Sequence, residues 1–332
     1  MQALLPVAGV GTRLRPHTHT LPKALVPVAG KPILGHILDE LIPLGIDEVV
    51  LVVGYLGDKI VQYVSSHYGL KVRFVEQQER LGLGHAVYLA QSALHLDEPV
   101  LIVLGDTIFR AKLAPVLAGK VSALGVRPVD DPTKFGIVEL DEHHRIRRLV
   151  EKPAHPTSNL AIVGLYYVQH PDRLIAALDE VIRRDQRVKG EYQLTDGLQH
   201  MIEAGDEWDT FPVDEWYDCG NPQTLLTTNH VLLAENGHPY PPGKNIVIPP
   251  VSIAPSAQLE NSVIGPYVSI GDDVIVRHSI VRESILNEGC RVENVVLSDS
   301  LVGEHAVVAG SFTSLNIGDS SEIRIGGFTQ GE

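Results

Sequence analysis

Between residues 253 and 323 aliphatic side chains return every six positions: Ile253 and Leu259; Ile264, Ile270 and Val276; Leu286 and Val292; Val302 and Val308; Ile317 and Ile323. Four residues after most of these openers stands a small or β-branched residue, at Ala257, Val268, Val274, Cys290, Ala306 and Ser321. Glycine directly follows the opener at Gly265, Gly271, Gly303 and Gly318. A half-buried strand of a sandwich alternates with period two instead. Period six suits short flat rungs that each turn one opener inward and stack as a solenoid. The rhythm predicts a left-handed parallel β-helix of hexapeptide repeats over 248–332, with uneven gaps between openers taken up by insertions. Cys290 fills a small inward position and is structural.

A different pattern precedes it. Apolar strands are expected at 2–7, 48–53, 71–76 and 99–104, separated by helical periodicity at 32–44, 57–68 and 83–96. Continuous apolar strands between helices predict a Rossmann-like α/β domain, its sheet mostly parallel with helices on both faces. A mixed region follows, with strands at 135–140, 145–151 and 160–168 and helices near 171–184, 194–204 and 222–235. The stretch PYPPGKN at 239–245 opens a linker placed at 239–247, which divides a first domain, 1–238, from the solenoid. Ligands of such sheets bind at the carboxyl ends of the strands. Gly9–Arg13, Gln77–Gly84 and Gly105–Thr107 all fall there.

Charge narrows the class of ligand. A net charge of −14 argues against a nucleic-acid partner, since no excess positive field is available to neutralise a phosphodiester backbone. No apolar run reaches the roughly 18–20 residues of a membrane span, and the N-terminus has no basic leader before an apolar stretch. Two cysteines, Cys219 and Cys290, build no disulfide framework, so a cytoplasmic location is expected. Residues 1–38 nevertheless hold Arg13, Arg15, Lys23 and Lys31 and no acid, where an even spread would put about five. That segment suits a small polyanion.

The stretch VAGVGTR, 7–13, lacks the third glycine of the dinucleotide fingerprint, where Leu14 stands, and the Lys-Ser/Thr pair of a P-loop. Its glycines let backbone N–H groups approach an anion, and Arg13 adds a planar cationic fork for phosphate oxygens. Lys23 sits between prolines in LPKALVP. Asp106 ends the strand PVLIVLGD, and Asp218 follows the aromatics of EWYDCG. Two carboxylates with substrate phosphates make a Mg²⁺ site. Taken singly, each feature also fits a plain strand–helix turn, a surface lysine or a strand-end aspartate.

Together these residues resemble the sugar-1-phosphate nucleotidyltransferases, in the long form of glucose-1-phosphate thymidylyltransferases and UTP–glucose-1-phosphate uridylyltransferases. The resemblance spans the whole chain. It is carried by Gly9-Val10-Gly11-Thr12-Arg13, Pro22-Lys23, EQQERLGLGHA (76–86), LGD (104–106), FGIVELD (135–141), VEKP (150–153), SNLAIVGLYY (158–167), GEYQLTD (190–196) and WYDCG (216–220). It implies that Ala8, Gly9, Gly11 and Thr12 cradle a nucleotide, that Arg13 and Lys23 bind its phosphates, and that Gln77 and Gly82 read its base. Gly136, Glu151, Asn159 and Ile162 would hold a hexose, Lys152 its phosphate, and Asp106 and Asp218 a Mg²⁺ ion. The reaction implied joins a sugar-1-phosphate, foremost glucose-1-phosphate, to dTTP or UTP with release of pyrophosphate, in a homo-oligomer.

The shorter loop PVAGVGTR and GLGHA look more like the uridylyltransferases, so both pyrimidine nucleotides stay open. So do mannose-1-phosphate and N-acetylglucosamine-1-phosphate, because hexose epimers differ by one hydroxyl. A catalytically silent regulatory subunit, a dinucleotide oxidoreductase and a second, acetyl-transferring solenoid are the rival readings. All the motifs end by Gly220, so the solenoid is expected to supply no ligand to the site.

Overall fold

The computed structural model describes residues 1–236 and 245–311. Linker residues 239–244 and the repeats expected at Ile317, Gly318, Ser321 and Ile323 lie outside the described residues. Gln2–Pro6 lies at the centre of a nine-stranded sheet, parallel to Glu48–Val53 on one side and Val100–Val103 on the other, with Lys71–Glu76 continuing the parallel half. Each of these strands begins and ends within a residue or two of expectation.

Beyond Val100–Val103 the sheet reverses. Leu160–Val168 pairs antiparallel with it, Ser122–Pro128 pairs antiparallel with Leu160–Val168 and carries Trp208–Pro212 parallel on its far side, and the hairpin of Gly136–Leu140 and Ile146–Glu151 joins Leu160–Val168 at Ala161. The parallel arrangement read from the sequence therefore describes the N-terminal half. Strand direction leaves no trace in a continuous apolar run, because both faces are buried whichever way the strand points.

The two covered faces separate by alternation. Ala3, Leu5, Val49, Leu51, Leu101 and Val103 pack in one core with the helices Ile33–Leu41 and Gly57–His67. Leu4, Val50, Val52, Val100 and Ile102 pack in the other with Leu83–Leu89, Pro171–Arg183 and Leu194–Glu203.

After the helix Pro222–Asn236, short strands form three four-stranded parallel sheets, the three sides of a β-helix. Every expected opener among the described residues lies in its core: Ile264, Ile270, Val276, Leu286, Val292 and Val302 are buried, and Ile253, Leu259 and Val308 pack against them. Val268, Val274 and Cys290 fill small buried positions as anticipated. Among the described residues the expected insertions do not occur. Val251 pairs with Val268 and Ser269 with Ile285, so a coil takes 17 or 16 residues, fewer than three full hexads. Corners are shortened, and residues in left-handed conformation (Tyr267, Glu283 and Asp299 on successive coils) make the tight turns.

Candidate active site

The loop after Gln2–Pro6 turns at Gly11, whose φ of 64° is left-handed; a side chain there would also press on Lys23 Cβ and Thr18 Cγ2 at 3.0 Å. Only glycine meets both demands. The turn leads into a single 3-10 turn, Thr12–Leu14, and Thr18 Oγ1 donates to the Gly11 carbonyl at 2.8 Å. Lys23 begins another short turn, Lys23–Leu25, and its ammonium reaches Asp106 Oδ2 at 2.7 Å. The Lys23 side chain is 11% exposed and the Asp106 side chain 42%, so the ion pair is buried at its ammonium end and open to solvent at its carboxylate end.

Asp218 arrives from far along the chain. Thr107–Arg110 pairs antiparallel with Glu215–Asp218, setting Thr107 opposite Asp218, and the Cys219 N–H donates to the Asp106 carbonyl at 3.2 Å. A methyl placed on Gly220 would begin 2.7 Å from both an Arg13 guanidinium nitrogen and Asp218 Oδ1. The two aspartates, Arg13 and Lys23 thus converge at the carboxyl ends of the central strands. Among the described residues no three His, Cys, Asp or Glu side chains cluster as a metal site. The donor set is two hard carboxylates, which fits Mg²⁺ only if substrate phosphates complete its shell.

Two chambers open from this point. The first, of about 470 Å³, is lined by Ala8, Gly9, Gly11, Thr12, Arg13 and Lys23 on one side and by Gln77, Arg80 and Gly82 on the other. Gln77 is buried, and its Nε2 donates to the Gly82 carbonyl at 3.0 Å. Gly82 (φ 105°) lies so close to Tyr192 that a side chain would strike its carbonyl oxygen at 2.5 Å.

The second chamber, of about 480 Å³, shares Arg13 and Asp106 with the first and is lined by Gly136, Glu151, Lys152, Ile162 and Asp218. Glu151 Oε2 accepts from Thr195 Oγ1 at 2.8 Å, and its Oε1 lies 3.1 Å from Lys152 Nζ. Burial, and then the Glu151 charge, raise the Asp196 carboxyl above its ordinary range; its Oδ2 is buried without a hydrogen-bond partner. Burial likewise holds the Tyr166 phenol neutral.

Every residue to which the resemblance gives a site role lines one chamber or the other except Asn159; Arg15 and Lys31 of the cationic segment line neither. The Asn159 side chain is exposed in the loop before Leu160–Val168, and its carbonyl accepts from the Val129 N–H at 2.9 Å. The sequence reading passed over Thr195, Tyr166, Trp216, Arg80 and Glu191, which also line the chambers. Thr195 stands inside GEYQLTD, so that motif carried the signal.

Residues 2–235 match the family model described as Nucleotidyl transferase. The chain belongs to the nucleotidyl transferase family. It is 33% identical over 360 residues to a glucose-1-phosphate thymidylyltransferase of Streptomyces griseus, covering 98% of this chain and 99% of that one. It is 34% identical over 236 residues to a UTP–glucose-1-phosphate uridylyltransferase of Haloferax volcanii, 67% of this chain and 93% of the relative. A crystal structure of UDP-glucose pyrophosphorylase complexed with UDP-glucose superposes with a TM-score of 0.61 at 24% identity, over 70% of this chain and 98% of that one. That likeness speaks for the fold. As a nucleotidyl transferase the chain is an enzyme that moves a nucleotidyl group, and no helix among its described residues is long and apolar enough to cross a membrane.

Proposed function

We propose that the chain condenses a sugar-1-phosphate, foremost glucose-1-phosphate, with dTTP or UTP, releasing pyrophosphate. The observation that carries this reading is the pair of chambers meeting at Arg13 and Asp106. One is rimmed by the glycine cradle and the other by a carboxylate with a neighbouring lysine. The triphosphate lies in the first, its base against Gln77 and Gly82. The hexose lies in the second, its hydroxyls on Glu151 and its phosphate toward Lys152.

A sugar-phosphate oxygen attacks the α-phosphorus in line. The new P–O bond forms as the bridging α–β bond breaks, and pyrophosphate leaves with the electron pair. No covalent protein group is required, so positioning and cationic stabilisation carry the rate. Arg13 and Lys23 face the oxygens on which charge builds. Asp106 and Asp218 would hold Mg²⁺, which supplies charge neutralisation on the phosphoryl oxygens.

Uracil and thymine offer Gln77 the same hydrogen-bonding edge, and one methyl is worth only ~1–3 kcal/mol of discrimination. The relatives' names divide between the two nucleotides, so this reading keeps both. We further expect a homo-oligomer, checked by light scattering against the 36.2 kDa chain. The deciding experiment is a pyrophosphate-release screen of dTTP, UTP and the other nucleoside triphosphates against several hexose-1-phosphates. Turnover with a pyrimidine nucleotide and glucose-1-phosphate is expected; no release with any pair overturns the reading.

A further inference from the structure

Asn229 lies midway along the helix Pro222–Asn236 and is 1% exposed, although it touches neither chamber. Its carboxamide joins three parts of the chain. Oδ1 accepts from the Ala29 N–H at 2.9 Å and from Ser269 Oγ at 2.6 Å, while Nδ2 donates to the Tyr267 carbonyl at 3.2 Å. A backbone N–H can only donate and a carbonyl only accept, so the amide has one possible orientation. The next helix residue, His230, stacks on the Tyr267 ring with centroids 3.4 Å apart.

The Ala29–Gly30 turn is the far end of the segment that carries Lys23, linked to it through Lys23–Leu25 and the short strand Pro27–Val28. The β-helix presses on that turn directly, since a side chain on Gly30 would collide with Ser252 Oγ. Ile285 and Leu301 of the solenoid also join the catalytic domain's own core. The helix that bears Asn229 starts two residues after Gly220, behind Asp218. One buried amide therefore ties the Lys23 segment, the Asp218 segment and the β-helix together.

We propose that Asn229 is a positioning residue through which the β-helix fixes the 22–33 segment, and with it Lys23, against Asp106. No described residue of the solenoid lines either chamber, yet the site's geometry depends on it. The catalytic consequence rests on the nucleotidyltransferase reading; the positioning itself does not.

The test uses the full-length chain with Asn229→Ala, and Ser269→Ala as a milder second variant that keeps the bond to Ala29. Amide hydrogen exchange reads the positioning without reference to any activity. Faster exchange confined to 22–33 is expected, larger in Asn229→Ala than in Ser269→Ala. Exchange unchanged at 22–33, or raised equally throughout the central sheet, overturns the proposal. In the turnover assay Asn229→Ala should lower kcat about tenfold with the KM for sugar phosphate unchanged. In a Lys23→Ala background the same change should have little further effect, because the two act as one unit. Additive losses overturn the route through Lys23. A wild-type chain that exchanges as expected but turns over no substrate overturns the functional reading alone.

Discussion

Gly136→Ala tests the second chamber with a single methyl. Gly136 lies in a strand with ordinary backbone angles, so alanine is conformationally acceptable there. The added carbon would start 2.9 Å from Glu151 Oε2 and 3.3 Å from both Ile162 Cδ1 and Thr195 Oγ1. Something must shift, and the carboxylate end of Glu151 shifts most easily. Its side chain is only 11% exposed, so it cannot swing into solvent without losing the 2.8 Å bond from Thr195. A hydrogen bond to a charged group is worth ~1.5–3 kcal/mol, and losing an interaction of that size with the sugar raises its KM roughly 10- to 150-fold. Uniform loss of binding leaves kcat unaltered. The assay is pyrophosphate release at saturating nucleotide with the sugar phosphate varied, beside a thermal melt to confirm folding. A folded variant whose sugar-phosphate KM stays within about twofold of wild type, or whose nucleotide KM rises instead, would refute the placement of the sugar on Glu151.

Asp106→Asn should cut kcat by roughly 10²–10³ without unfolding the chain, because it weakens charge stabilisation at the reacting phosphate; near-normal turnover at saturating Mg²⁺ would make Asp106 structural. Gln77→Ala should raise the KM for dTTP and UTP and blunt their advantage over purine nucleotides, read from kcat/KM across the nucleotides. The Asp196 carboxyl is raised in the folded state, so its ionisation costs stability as pH climbs through that raised value. Asp196→Asn should therefore have the higher Tm at about pH 7, with the gap closing below about pH 4, where the wild-type acid is protonated in both states. Burial pushes the Cys219 and Cys290 thiols up to about 12, and both side chains are enclosed. A thiol reagent near neutral pH should find neither in the native protein and both after denaturation; rapid native reaction would contradict this burial.

The strands Glu48–Val53 and Lys71–Glu76 were legible to the residue because each is an unbroken apolar or alternating run. Ser122–Pro128 was not, since Gly125 interrupts its apolar run and a proline closes it. In the fold Gly125 is a packing residue, with no room for a side chain against Leu165 and Phe211. The pairing of Thr107–Arg110 with Glu215–Asp218 was equally hidden. Four-residue strands far apart in sequence carry no periodicity of their own, yet this pairing brings the two aspartates to one place. The site residues were readable mainly where a motif surrounds them. Thr195 received no role although GEYQLTD surrounds it, because a threonine at the second residue of a helix has no intrinsic signature; its role lies in the carboxylate it faces. Shortened coils escaped for a related reason, since the hexad pattern marks inward positions and says nothing about how tightly the corners between them close.

Because the sheet changes direction at Val100–Val103, the two chambers draw on nearly separate stretches of chain. The first is built from residues 6–106 with Glu191 and Gly220 added, and the second chiefly from 134–218. Mutational drift in one stretch is thus largely invisible to the other, except where Arg13, Leu83, Leu104, Asp106 and Glu191 line both. If the proposed placement of sugar and nucleotide holds, a lineage with this layout can exchange one hexose for another by altering a few positions around Gly136, Glu151 and Ile162 while its nucleotide choice stays inherited. Recombination with a breakpoint just after Arg110 would shuffle sugar preference as a cassette.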